Sequence, residues 1–178
     1  MRYFLSGGSK SGKSMLAQHL ARDMAGEHPL YYIATMIPMD EEDHARIRRH
    51  LRERDGWGFE TVECGASLTR GLAGCDFEGS FLLDSVTALL TNFMFPPDGN
   101  LDLTAPLRLM RELEDTIGKC KNLVIVSDDL FSDARLFDSW TEAYREGLAK
   151  CCRRCVELCD TAIDVTADLP TVWKGELG

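Results

Sequence analysis

Arg2-Tyr-Phe-Leu-Ser-Gly7-Gly8-Ser9-Lys10-Ser11-Gly12-Lys13-Ser14-Met15-Leu16 is the stretch that decides the reading of this chain. Residues 2–5 form a short apolar run that fits a buried strand, and glycines follow at once. From Lys13 onward, Met15, Leu16, Leu20 and Met24 recur at helical spacing. Between the two, Gly7 to Ser14 satisfies G-x-x-x-x-G-K-[S/T], the phosphate-binding P-loop, in the strand-to-helix context that its mechanism needs. Glycines let successive backbone N–H groups turn inward around phosphate oxygens, and the helix N-terminus adds partial positive charge. Lys13 is expected to reach the β- and γ-phosphates of a nucleoside triphosphate, and Ser14 to ligate Mg²⁺.

A P-loop needs a carboxylate at the end of a second apolar strand. Ser80-Phe-Leu-Leu-Asp84 supplies one, and Asp84 would hold Mg²⁺ directly or through water. Asp128, after Leu123-Val-Ile-Val-Ser127, is the competing candidate. Asp84 also stands where it could cap a helix beginning at Val86.

Further strands are expected at 30–34, 59–62, 122–126 and 162–165. Helices are expected from Asp40 to about 54, weakly over 67–72, over 86–95, from 104 to about 118, and from Ser132 or Asp133 to near Cys159. Strands alternate with helices throughout, so the fold class is α/β: P-loop NTPase-like, with a mostly parallel sheet and helices on both faces. The 178 residues are the size of a single P-loop domain, with 44% hydrophobic residues for its core. The irregular stretches at 56–58 and 95–104, with a loop at 96–100, are candidate substrate loops.

The net charge of −9 argues against a nucleic-acid partner, because an acidic chain repels a phosphate backbone. No apolar run reaches membrane-spanning length, and the motif begins too early for a signal peptide, so the expected compartment is the cytoplasm. Seven cysteines, an odd count, argue for free thiols. Cys151, Cys155 and Cys159 fall on one helical stripe, which suits a buried face better than a metal site.

Against that acidic background, residues 46–54 hold five arginines and one glutamate. On a helix Arg46, His50 and Arg54 share a face. Such a run is often only a solvated basic surface. Arginines beside His50 nevertheless disfavour its charged form, and a neutral imidazole is a nucleophile that the same arginines could supply with phosphates. His44, near the acidic first turn, is the weaker candidate; His19 and His28 look like ordinary helix and loop residues.

The P-loop, then Tyr32-Ile-Ala-Thr35, Arg46-Ile-Arg-Arg-His50, Arg54, Trp57, Thr61-Val-Glu63 and Leu82-Leu-Asp84-Ser-Val-Thr-Ala-Leu-Leu-Thr-Asn92 follow one another in a telling order. The order and spacing resemble the bifunctional adenosylcobinamide kinase/adenosylcobinamide-phosphate guanylyltransferase family of cobalamin assembly. The resemblance covers about residues 1–130 well and the remainder loosely. It implies phosphorylation of adenosylcobinamide by ATP or GTP. It further implies attack of the histidine, here His50, on the α-phosphate of GTP, and transfer of the GMP to adenosylcobinamide phosphate. It implies nucleotide contacts at Ala34, Thr35 and Met36, at Leu51, Arg52, Glu53 and Arg54, and at Glu63 and Asp84. It also implies a corrinoid partner and a homotrimer. Departures begin after Val126-Ser127: the chain reads Asp128-Asp-Leu-Phe131 where members read Asn-Glu-Val-Gly, and Cys152-Arg153 stands in place of an asparagine–glutamine pair. A kinase that moves only the γ-phosphate, or a nucleotide-dependent regulator derived from the family, are the alternatives.

Overall fold

Seven strands form one sheet in the order β3-β2-β4-β5-β1-β6-β7. The computed structural model describes residues 1–96, 99–130 and 137–177, and for Glu53 the backbone only. The strands are β1 (Arg2–Gly7), β2 (Leu30–Ala34), β3 (Phe59–Glu63), β4 (Ser80–Asp84), β5 (Asn122–Asp128), β6 (Thr161–Thr166) and β7 (Leu169–Lys174). The helices are α1 (Lys13–Ala25), α2 (Glu41–Glu53), α3 (Leu68–Gly71), α4 (Val86–Met94), α5 (Ala105–Lys119) and α6 (Ser139–Leu158), with a 3-10 turn at Leu72–Gly74. Neighbouring strands from β3 to β6 run parallel and β7 returns antiparallel to β6. This is the expected α/β architecture.

Alternation along each strand explains the layers. Phe4, Ile33, Phe81, Leu83, Leu123 and Ile125 point to one face, where α3, α4, α5 and α6 cover them. Tyr3, Leu5, Tyr32, Leu82, Val124 and Val126 point to the other, where α1 packs through Ala17, Ala21 and Ala25. Both faces are buried, as a parallel sheet requires, so β5 reads as the unbroken apolar run Leu123-Val-Ile-Val126. Cys151, Cys152 and Cys155 of α6, with Cys159 just beyond it, are buried in the first of these cores, so the cysteine stripe is a packing face. Burial pushes the Cys151 and Cys159 thiols up to about 12, where they stay protonated and unreactive.

Three differences from the sequence expectations stand out. The expected start of α6 at Ser132 or Asp133 lies outside the described residues; the helix reaching Leu158 begins at Ser139, where the Asp138 carboxylate accepts from the N–H groups of Trp140 and Thr141, both at 3.0 Å. The cap of α4 is Ser85, which accepts from Ala88 N–H at 3.3 Å, so Asp84 is not the cap. Strand β7 was not expected. Its turn, Ala167-Asp168, holds φ values of +50° and +64°, and Lys174 Nζ donates to the carbonyls of Val156, Glu157 and Cys159 at the end of α6 at 2.8, 3.0 and 2.6 Å. Among the described residues no helix is long and apolar enough to cross a membrane.

Candidate active site

The loop after β1 is held in a shape that suits an anion. Gly7 has φ +155° and Gly12 φ +89°, and a Cβ on Gly7 would run into the Val165 carbonyl, on Gly12 into the Asp168 carboxylate. Only glycine fits either place. Gly12 caps α1 without a side chain, so no side chain competes with a ligand for the N–H groups at the start of the helix. Lys13 is 6% exposed; its ammonium donates to the Gly8 carbonyl at 3.0 Å and pairs with Asp128 Oδ1 at 2.8 Å. Ser11 is buried and its Oγ has no partner among the described residues.

A cleft of about 880 Å³ opens over this loop. Residues 8–15 form its floor, Arg46, Arg49 and His50 of α2 one wall, and Asp84, Asp128 and Asp129 the strand-end wall. Strand order places the two rival carboxylates differently. Asp128 is in register with Gly7 on the neighbouring strand, whereas Asp84 lies one strand further out, level with Val126. Asp128 is therefore the partner of Lys13, while Asp84 Oδ2 accepts the Tyr32 hydroxyl at 3.0 Å. Burial raises the Asp84 carboxyl above its ordinary range; the charge of His50, the Tyr32 hydrogen bond and Lys13 oppose that rise, and the Asp128 charge adds to it. Burial and then the Asp84 charge push the Tyr32 phenol well above its usual value.

Beyond His50 a second cavity, of about 110 Å³, continues between α2 and the ends of β2, β3 and β4. Ala34, Thr35, Met36, Leu51, Arg54, Glu63 and Asp84 line it, and His50 borders both spaces. The Arg54 guanidinium carbon lies 3.4 Å from the Tyr32 ring centroid; Arg54 is 7% exposed, and its Nη1 has no hydrogen-bond partner among the described residues. Thr35 is fixed behind the cavity: Ser85 N–H donates to its Oγ1 at 2.6 Å, and Asn92 Nδ2 donates to its carbonyl at 2.7 Å.

The geometry thus brings together the P-loop, His50, Asp84 and most residues expected around a nucleotide. Arg52 lies apart, exposed and donating to the Arg48 carbonyl at 3.4 Å, and Arg48 pairs outward with Glu41 at 2.7 Å. His44 lines neither space. Trp57 of the irregular 56–58 stretch packs edge-on against His19 at 4.8 Å, with Arg22 over its ring at 5.2 Å, which makes that turn an anchor on α1. Tyr32, Arg46, Arg49 and Asp168 also line these spaces; the Y-I-A-T motif and the basic helix face around His50 pointed to the first three, and nothing in the sequence pointed to Asp168. Of the loop expected at 96–100, positions 97 and 98 lie outside the described residues, as do positions 131–136.

Known proteins resemble this chain in sequence and in fold. The model of the family "cobinamide kinase / cobinamide phosphate guanyltransferase" matches residues 3–172. The bifunctional adenosylcobalamin biosynthesis protein CobU of Escherichia coli K12 is 35% identical over 105 residues, 57% of this chain but only 55% of that protein, so the match spans about half the relative's length. The bifunctional adenosylcobalamin biosynthesis protein CobP of Pseudomonas aeruginosa PAO1 is 29% identical over 181 residues, 99% of each chain. A solved structure from Pyrococcus horikoshii OT3, the PH0250 project protein, covers 99% of this chain and 87% of its own, with TM-score 0.57 and 6% identity, a likeness of fold alone. The chain belongs to the cobinamide kinase / cobinamide phosphate guanyltransferase (CobU) family.

Proposed function

We propose that this chain phosphorylates adenosylcobinamide from a nucleoside triphosphate and then transfers GMP from GTP to the product through a guanylyl-His50 intermediate. The observation that carries the proposal is the position of His50 on the border between the phosphate cleft and the cavity holding Arg54 and Glu63. A GTP whose base lies in the cavity and whose β- and γ-phosphates lie over the P-loop has its α-phosphate at that border. Guanine suits the cavity's polar groups. The unpartnered Arg54 Nη1 can donate toward O6 and N7, and the Glu63 carboxylate can accept from N1–H and N2–H₂.

In guanylylation the imidazole attacks the α-phosphorus, the bond to the β-phosphate oxygen breaks, and pyrophosphate departs toward Lys13, Arg46 and Arg49. The phosphate of the acceptor then attacks the phosphorus, and the P–N bond breaks to restore His50. In phosphorylation the P-loop amides and Lys13 stabilise charge on the transferring γ-phosphoryl. Ser14, Asp84 and Asp128 offer hard oxygen donors along the same cleft, the chemistry that suits a Mg²⁺ ion accompanying a triphosphate. Such an ion supplies neutralisation of phosphate charge.

The experiment is incubation with GTP labelled at the α-phosphate. The expected result is label on the protein that is acid-labile and base-stable, with release of pyrophosphate. Absence of label alongside phosphorylation of adenosylcobinamide would leave a kinase only. Absence of both would leave a nucleotide-binding regulator.

A further inference from the structure

The phosphate cleft has two ends, and the end away from α2 is also built. There the β6–β7 turn closes on the P-loop: Asp168 N–H donates to the Ser11 carbonyl at 2.9 Å and its carboxylate sits against Gly12. Asp168 lines the cleft together with Met15. Met15 is 43% exposed and Leu169, next to Asp168, is 72% exposed, so apolar surface flanks the carboxylate. Asp168 keeps φ +64°, a conformation that an L residue adopts at a cost and that glycine would adopt freely. A carboxylate beside a phosphate cradle opposes anion binding unless N–H donors, and not phosphate oxygens, lie opposite it.

We infer that Asp168 marks a second nucleobase position, so that the phosphoryl donor binds the P-loop in the reverse direction from the GTP that guanylylates His50, and that this position selects guanine. This rests on the proposed two-step function. The chemistry of the two steps favours the reversal. If one pose served both, the α-phosphate would lie beside His50 during phosphorylation, and self-guanylylation would compete with every kinase turnover. In the reversed pose the base lies at Asp168 and the γ-phosphate points toward α2. Both reacting phosphorus atoms, the γ of the donor and the α carried on His50, then face the same part of the cleft. The acceptor's hydroxyl in the first step and its phosphate in the second are met at one place. Guanine follows from the carboxylate: N1–H and N2–H₂ are two parallel donors on one edge, whereas adenine sets acceptor nitrogens beside its single amino group.

The test compares wild type, Asp168→Asn and Asp168→Gly, with GTP, ITP, XTP and ATP as donors to adenosylcobinamide. Both substitutions are compatible with the positive φ, so folding is retained. For wild type the expected kcat/KM for GTP exceeds that for ITP and ATP by about ten- to hundredfold. Asp168→Asn is expected to abolish that preference and raise XTP by a similar factor, since its amide can donate to the xanthine 2-oxo group. Asp168→Gly is expected to treat the purines alike. Labelling of His50 should keep its preference for guanine in every variant, while Glu63→Gln should weaken that preference and spare donor selection.

Equal improvement of all four donors in Asp168→Gly would overturn the inference, because the carboxylate would then only repel phosphate. A shift of labelling and donor preference together would overturn it as well, because one base site would serve both steps. Should wild type phosphorylate nothing, the underlying function fails. Competition binding of the four triphosphates to the Asp168 variants then decides the base position alone, and unchanged selectivity would end it.

Discussion

Helices α2 and α6 are held in place by opposite means. Gly147, Leu148, Cys151, Cys152 and Cys155 of α6 are buried against the sheet and α5. None of the described side chains of α2 is buried, although it carries Arg46, Arg49 and His50 into the cleft. What fixes α2 is its ends. The Asp40 carboxylate accepts from Asp43 N–H at 2.9 Å, the Asp43 carboxylate accepts from Met39 N–H at 3.1 Å, and at the far end Arg54 is buried on Tyr32. The core determines where α6 lies, whereas the capped start of α2 and Arg54 at its end determine where α2 lies. Stability and chemistry therefore reside in different helices, and the two can be changed separately.

The sharpest way to break this contrast is His50→Ala. It is expected to abolish acid-labile guanylyl label entirely while altering unfolding free energy by no more than about 1 kcal/mol, less than a truncation in the core. A fall of several degrees in melting temperature would show α2 to be structural after all.

Alkaline pH acts on the core in which α6 is packed. Burial raises Cys64, Cys120, Cys151 and Cys159 to about 12 and Cys152 to about 11, against about 8.5 when unfolded. A raised folded value means that stability is complete below the unfolded pKa and is lost as pH climbs toward the folded one. Each thiol removes about 1.4 kcal/mol per pH unit in that window, so denaturant midpoints should be flat to pH 8 and collapse between 9 and 12. A flat profile to pH 11 would mean that the thiols are not enclosed.

Cys155→Ser probes α6 at neutral pH. It sets a hydroxyl among apolar atoms and is expected to cost about 1–3 kcal/mol in urea unfolding, with guanylyl label per folded molecule unchanged. The smallest effect is that of Asp40→Ala, a loss of about 1 kcal/mol confined to α2. It should speed amide hydrogen exchange there without moving the global unfolding midpoint, and GTP should restore the protection. Faster exchange in α6 instead would contradict the separation.

The same contrast governs what the sequence made legible. Strands β1, β4 and β5 are buried on both faces, so each is an unbroken apolar run, and the glycines and lysine of the P-loop are required by their own geometry. Asp40 and the acids behind it announced α2. By contrast β7 is exposed along most of its length, carries Pro170, and exists only as a partner of β6, so no local pattern betrays it. The bonds that shape the site join residues far apart in the chain: Tyr32 to Asp84, Lys13 to Asp128, Asp168 to Ser11. Spacing along one segment says nothing of such pairs. It could not tell which carboxylate faces the lysine, nor that Ser85 caps α4.

Strand β7 is fastened at both ends, by Asp168 to the P-loop and by the Lys174 ammonium to three carbonyls at the end of α6. It therefore works as a tie-rod between the phosphate loop and the end of α6. Release of Lys174 is felt some six residues away at Asp168 and, through its hydrogen bond, at Ser11, so a charge-removing change such as Lys174→Met, remote from every reacting atom, should loosen the grip on triphosphate through the frame of the site while its chemistry stays whole.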